Sequence, residues 1–322
     1  MCPLQRRPNE PAATDHLTSE GHDAARTIVL AALGRDPGRM MPVQSRSDQV
    51  YVGSDLVVKI IDADRHSRLD REVTLAPYLP TGLTPPLLTS GLYRLGTRDV
   101  RYACYTRALG SAPGMGLRGV DGATACRLAE DAIQHLEGMH SWIPTGVAEQ
   151  TLREPLDHGG FVGRAALFDE IDHLVSVDRL SIVPGHLLDG LVAIAERAPL
   201  HARAVVPVHA DCHWGNWLAW DGRVTALLDF EWARFGEPVD DWFFLARFSG
   251  PHMGTVLDVI SRSTASPLEL LRAECEVREA AYITSDLRVA LARGDASSQL
   301  AVERLRGLEA LIVGHHWQRH VR

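Results

Sequence analysis

The stretch that most constrains this chain is residues 206–232, VPVHADCHWGNWLAWDGRVTALLDFEW. Asp221-Gly222 separates two strand-like runs, Asn216–Trp220 and Arg223–Asp229, and an Asp-Gly pair there signals a two-residue hairpin, because a type I′ turn needs positive φ at both central positions. Counting outward in antiparallel register, Trp220 pairs with Arg223, Ala219 with Val224, Leu218 with Thr225, Trp217 with Ala226 and Asn216 with Leu227. In that register Asp229 is the diagonal neighbour of Asn216 on one sheet face, ~7–8 Å away. A bulge would flip the parity and break the relation.

The same stretch is dense in groups that carry chemistry: His209, Asp211, His213, Asn216, Asp229 and Glu231. An amide oxygen and a carboxylate that converge suit Mg²⁺, which takes oxygen ligands and accepts one or two protein groups beside phosphates and waters. Asp211, in the loop before Asn216, is then available as a base or hydroxyl orienter. A second reading places Zn²⁺ on His209, Asp211 and His213, with Asp229 as a further ligand, in a metallohydrolase.

At 322 residues the chain exceeds the ~250 residues at which one core stops growing, so two packed units are expected. Residues 1–20 are proline-rich and polar and read as a flexible leader. Alanines and β-branched residues around Ile28 form one short helix stopped at Gly34. Residues 41–61 and 87–106 read as strands, with a charged helix between them whose apolar stripe is Leu69, Val73 and Ala76. The stretch Leu109-Gly110-Ser111-Ala112-Pro113-Gly114 marks a boundary, which gives an N-terminal unit at 21–108 and a C-terminal unit at 109–322. Helices near 121–140, 163–178 and 185–197, the strand-rich island, and helices from about 240 onward fill the second.

The net charge of −8 has the wrong sign for a general nucleic-acid binder. Five scattered cysteines without a C-x-x-C argue against a disulfide framework and point to a reducing cytoplasm. No segment reaches the ~18 apolar residues of a membrane span. The expected partner is therefore a small molecule, with no nucleic acid and no membrane, and the chain a monomer or homodimer.

Lys59, in Val57-Val58-Lys59-Ile60, is the single lysine among 33 Lys+Arg. An ammonium kept inside an apolar run, where arginine serves everywhere else, is either a chance survivor or a position that needs a compact cation rather than a planar fork. On the following helix Glu72 lies beside the apolar stripe that would face the sheet, while its rival Asp70 is turned away from it.

His209-Ala210-Asp211-Cys212-His213-Trp214-Gly215-Asn216 resembles the H-x-D-x-x-x-x-N catalytic loop of the aminoglycoside phosphotransferase and choline kinase group, relatives of protein kinases. Leu228-Asp229-Phe230-Glu231 resembles that group's metal-binding motif, and Gly236-Glu237-Pro238-Val239-Asp240-Asp241 its Gly-x-Pro-x-x-Asp stretch. Lys59 and Glu72 match the strand lysine and helix glutamate. The resemblance spans roughly residues 43–245.

It implies an α+β, two-lobed protein-kinase-like fold, with a small antiparallel-sheet N-lobe that binds nucleotide and a larger, mainly helical C-lobe. It further implies that Asp211 accepts or orients the acceptor's hydroxyl proton, that Asn216 and Asp229 hold Mg²⁺, and that Lys59, oriented by Glu72, holds the α and β phosphates of ATP or GTP. Ser45 and Ser47 stand where the nucleotide-covering turn falls, without the glycines of protein kinases, and Thr106 and Leu109 bracket the base-binding hinge. His209, His213, Glu231 and Asp241 play supporting parts. The implied activity is transfer of a γ-phosphoryl group to a hydroxyl of an antibiotic of aminoglycoside, tuberactinomycin or nucleoside type, serving resistance or self-protection. The arginine bias fits a high-GC producer. The alternatives are a metabolic kinase of a sugar or amino alcohol, a non-catalytic nucleotide-binding module, and the zinc hydrolase. Glu274, Glu276, Glu279 and Asp286 suit a cationic acceptor or, equally, a solvated helix face.

Overall fold

The computed structural model describes residues 13–43, 49–63, 68–156, 160–293 and 299–318. Ser45 and Ser47 lie outside the described residues. The chain divides into two compact units, one of residues 1–77 and 85–108, the other of residues 78–84 and 109–322.

The first unit is a five-stranded antiparallel sheet with a helix on each face. Its elements are α1 (Ala13–Leu33), β1 (Met41–Val43), β2 (Gln49–Val52), β3 (Leu56–Asp62), α2 (Arg68–Leu75), β4 (Leu87–Leu95) and β5 (Arg98–Thr106), in the strand order β1-β2-β3-β5-β4. Helix α1 begins inside the stretch read as a leader, where residues 13–20 contain neither proline nor glycine to stop it.

Period-two alternation divides β3 between the two faces. Val58 and Ile60 join Ala25, Ile28 and Val29 of α1 in one core, whereas Ile61 packs with Leu69, Ala103 and Tyr105 in the α2-facing core. Lys59 shares the parity of Ile61, so the strand aims its ammonium at α2. Fully burying each of these aliphatic side chains contributes roughly 1.5–3 kcal/mol, which fixes the register that carries Lys59.

The second unit holds α3 (Gly122–His140), α4 (Gly146–Arg153), α5 (Arg164–Val177), α6 (Gly185–Arg197), β6 (Val206–Val208), β7 (Trp217–Trp220), β8 (Arg223–Leu227), β9 (Arg234–Gly236), α7 (Pro238–Arg247), α8 (Met253–Thr264), α9 (Leu268–Ala292) and α10 (Gln299–Ile312). Two small antiparallel ladders, β6 with β9 and β7 with β8, lie within this helical unit. The segment 78–84 belongs here because the Leu227 N–H donates to the Leu83 carbonyl at 2.8 Å. Asp121 caps α3 by accepting the Thr124 N–H at 2.8 Å, satisfying one of the orphan donors of the first turn. No helix among the described residues is long and apolar enough to cross a membrane.

The β7–β8 hairpin corrects the register derived above. Trp220 pairs with Arg223 and Ala219 with Val224, but Leu218 then pairs with Ala226 and Trp217 with Leu227, with the irregularity between Leu218 and Ala219. Thr225 is the extra residue; its hydroxyl donates to the Leu109 carbonyl at 2.7 Å. The bulge moves Asn216 opposite Leu228, whose N–H donates to the Asn216 carbonyl at 2.8 Å, and the diagonal relation of Asn216 to Asp229 is lost.

Candidate active site

In the first unit Lys59 Nζ donates to both carboxylate oxygens of Glu72, at 3.0 and 2.8 Å. The lysine side chain is 13% exposed and the glutamate 7%. The rival, Asp70, faces the other way and pairs with Arg101 at 3.2 Å. One turn of helix therefore sorts two acids: Glu72 lies on the buried side of α2, and Asp70 is half exposed.

Thr106 ends β5, and its N–H donates to the Pro86 carbonyl at 2.9 Å. In the second unit Leu109 is exposed and its carbonyl is taken by Thr225.

His209, Asp211, His213 and Asn216 gather on the segment between β6 and β7. The Asn216 side-chain amide donates to the Asp211 backbone carbonyl at 2.8 Å and to Asp211 Oδ2 at 3.2 Å. With its nitrogen so engaged, the other end of the Asn216 amide, an oxygen, is the end left to ligate. Asp229 follows β8 at φ 71°, in the left-handed region, and opens the short 3₁₀ turn Phe230–Trp232 that contains buried Glu231. A non-glycine residue held there stores of order 1–3 kcal/mol of strain, a pattern that clusters at functional sites. Asn216 and Asp229 each offer oxygen donors, the ligand type that suits Mg²⁺ rather than zinc.

His209 is fully buried, and both its ring nitrogens are occupied: Nε2 donates to the Leu228 carbonyl at 2.8 Å and Nδ1 accepts the Asp211 N–H at 3.2 Å. It ties the loop to the strand end before Asp229, with its ring edge-on to Phe230. A ring so engaged cannot also ligate zinc without giving up at least one of these bonds, and no group of three His, Cys, Asp or Glu suited to a metal occurs among the described residues.

Asp241, on the first turn of α7, fixes the loop backbone. Its Oδ2 accepts the His209 N–H at 3.1 Å and lies 2.9 Å from His140 Nε2, while its Oδ1 accepts the Ala210 N–H at 2.7 Å. Ala210 sits at φ 63°, a conformation these bonds impose. Burial pushes the Asp241 carboxyl up, but His140, His209 and the Ala210 N–H outweigh it and hold it below the usual carboxylate range. Burial, then the negative charges of Asp241 and Asp211, push the Cys212 thiol far up. Sequence reasoning missed His140, whose one signal is its position in the last turn of α3.

Trp214 and Trp217 are fully buried and brace the loop from beneath, the indole of Trp214 donating to Ser249 at 2.7 Å and that of Trp217 to the Cys212 carbonyl at 2.8 Å. Trp214 therefore does not border an open pocket.

The acids of α9 are internal counter-charges. Glu274 pairs with Arg278, Glu276 with Arg197, Glu279 with Arg247 and His316, and Asp286 with Arg304. Arg278, 3% exposed, also binds Glu237 and Asp240.

The family model described as the phosphotransferase enzyme family (APH) matches residues 40–274. The chain belongs to this family. Among solved structures it is similar to the ternary complex of a thermostable mutant of aminoglycoside phosphotransferase APH(4)-Ia with AMP-PNP and hygromycin B, at 18% identity and a TM-score of 0.61, covering 91% of this chain and 99% of that one. It is also similar to the GDP and kanamycin complex of APH(2")-IIIa, at 15% identity and a TM-score of 0.71, covering 90% and 99%. The GDP complex of wild-type aminoglycoside 2'-phosphotransferase-IIIa matches at 16% identity and a TM-score of 0.70, covering 91% and 99%. No curated protein sequence matches significantly. At these identities the likeness establishes the fold, so this family member has the α+β, two-lobed protein-kinase-like fold, with its five-stranded sheet in the first unit and its helices mainly in the second.

Proposed function

We propose that the protein transfers the γ-phosphoryl group of ATP or GTP to a hydroxyl of a small-molecule antibiotic of aminoglycoside, tuberactinomycin or nucleoside type. The observation that carries this reading is the ion pair between the chain's single lysine and the buried Glu72. Phosphoryl transfer asks for charge placement and alignment more than for covalent chemistry. In this reading Lys59 holds the α and β phosphates and Glu72 keeps its ammonium in one direction. Asp211 takes the acceptor's hydroxyl proton; its Oδ2 is anchored by Asn216, so Oδ1 is the oxygen that receives it. Ser45, Ser47, Thr106 and Leu109 contribute to the nucleotide site. Asn216 and Asp229 hold Mg²⁺, which when bound neutralises phosphate charge.

The antibiotic classes rest on family membership and on neighbours whose complexes contain hygromycin B and kanamycin. The paired acids of α9 make a strongly cationic acceptor depend on other carboxylates, which favours a screen over a single guess. A cytoplasmic setting fits the described cysteines, all of them free thiols. The test is a mass-spectrometric screen of hygromycin B, kanamycin, tuberactinomycin peptides and nucleoside antibiotics with ATP, GTP and Mg²⁺. A phosphoryl gain on one of them is expected; turnover of sugars or amino alcohols alone would replace the antibiotic by a metabolite.

A further inference from the structure

Within the second unit His213 is held by more constraints than a surface loop residue needs. Its Nδ1 accepts the Gly215 N–H at 3.1 Å, and its ring meets Phe248 edge-on at 5.7 Å. Its carbonyl accepts the Asn216 N–H at 2.8 Å and its N–H donates to the Asp211 carbonyl at 2.9 Å. A Cβ added to Gly215 would stand 2.9 Å from His213 Cε1 and 3.1 Å from Nδ1, so position 215 is glycine because the ring lies against it. With Nδ1 accepting, the neutral ring carries its proton on Nε2.

That Nε2–H stands 3.9 Å from Asp211 Oδ1. The separation is too long for a direct hydrogen bond and suits one oxygen between them. Seen from an oxygen about 2.8 Å from each, a normal hydrogen-bond length, the two atoms would lie about 90° apart. Oδ1 is the carboxylate oxygen that faces Nε2, while Oδ2 accepts from the Asn216 amide.

We propose that His213 is a catalytic residue that grips the acceptor hydroxyl oxygen through Nε2–H while that hydroxyl donates its proton to Asp211 Oδ1. The inference rests on the phosphotransfer reading. The hydroxyl oxygen has two lone pairs: one accepts from His213, and the other forms the new bond to the γ-phosphorus. As that bond forms, the bond from phosphorus to the β,γ-bridging oxygen breaks, the nucleoside diphosphate leaves with its electron pair, and the hydroxyl proton passes to Oδ1. The histidine neither gains nor loses a proton. Its contribution is orientation of the nucleophile and a donor to the negative charge that develops on it, of the kind an oxyanion-hole group provides.

The smallest hydroxyl acceptor is water, so the probe is phosphate release from MgATP and MgGTP by the full chain without added acceptor. Removal of an oriented donor of this type reduces turnover by about 10²-fold, and that loss is expected for His213→Ala, with nucleotide affinity and melting temperature unchanged. Gly215→Ala, which keeps the histidine but displaces its ring, is expected to show a comparable loss, and His213→Gln, which returns an N–H donor, to recover part of it. A His213→Ala rate within twofold of wild type overturns the proposal, as does a loss matched by weaker nucleotide binding or a lower melting temperature. Asp211→Ala, measured alongside, separates the two readings: if it too keeps the wild-type rate, or if the wild type neither releases phosphate nor phosphorylates any acceptor of the screen, the phosphotransfer reading itself falls. If only Asp211→Ala loses activity, the role of His213 alone is refuted.

Discussion

Lys59 Nζ sits 3.0 Å from one oxygen of Glu72 and 2.8 Å from the other, a bidentate grip that fixes where the ammonium points. A guanidinium placed there keeps the charge but brings a planar fork too large for the same contacts. Lys59→Arg is therefore expected to lower kcat/KM for phosphoryl transfer by about 10²-fold or more, the size of losing one positioned charge at a transferring group. Steady-state kinetics on the acceptor found by screening check this, and unaltered constants would refute the phosphate role of Lys59.

Asp211→Ala should reduce kcat by about 10²–10⁴-fold, the usual range for a general base, with nucleotide affinity retained. Thermal-shift titration with MgATP measures the second half of that statement. Equal losses in affinity and turnover would mean that the substitution collapsed the loop rather than removed a base.

Asp241 binds two loop N–H groups and His140 while wholly buried. Asp241→Asn leaves those donors facing a neutral amide and should lower the unfolding free energy by about 3 kcal/mol, as when one partner of a buried charged network is lost. Urea unfolding reads this directly. Turnover should fall as well, because Ala210 at φ 63° is held by this carboxylate.

The same carboxyl gives a pH dependence with a definite sign. Its folded pKa lies below the ordinary value of 3.8, so its contribution to stability is fully present above that value and is lost as pH falls through the lower, folded one. Glu279 behaves alike: burial pushes it up, but His316 and Arg247 hold it below 4.5. Melting temperature should decline on acidification below about pH 4.5, and Asp241→Asn should flatten the acidic limb.

Cys212 lies beside the proposed base yet is fully buried, its thiol pushed well up by burial first and by Asp241 and Asp211 next. Cys104, pushed up to about 11 by burial, should be equally inert. Iodoacetamide at pH 8 should label Cys126, the partly exposed cysteine among the described residues, well before Cys104, Cys212 or Cys275. Peptide mapping with and without denaturant checks the order, and rapid labelling of Cys212 in the native protein would contradict the packing of the loop.

The sequence by itself determined the chemistry-bearing groups and their local setting. A lone lysine in an apolar strand, Glu72 beside the Leu69 and Val73 stripe, the loop from His209 to Asn216 and the Asp221-Gly222 turn are all short-range patterns, and the period of a strand or helix is enough to read them. Tertiary structure decided the rest, because it depends on which distant groups meet. The bulge at Thr225 forms where that hydroxyl reaches the Leu109 carbonyl, and it replaces the simple ladder expected between Asn216 and Asp229. The choice of Asp241 to pin the loop, of His140 to steady it, and of arginines to neutralise the acids of α9 follows from long-range packing. Burial makes an unpaired charge expensive, so the fold brings each a partner from far along the chain.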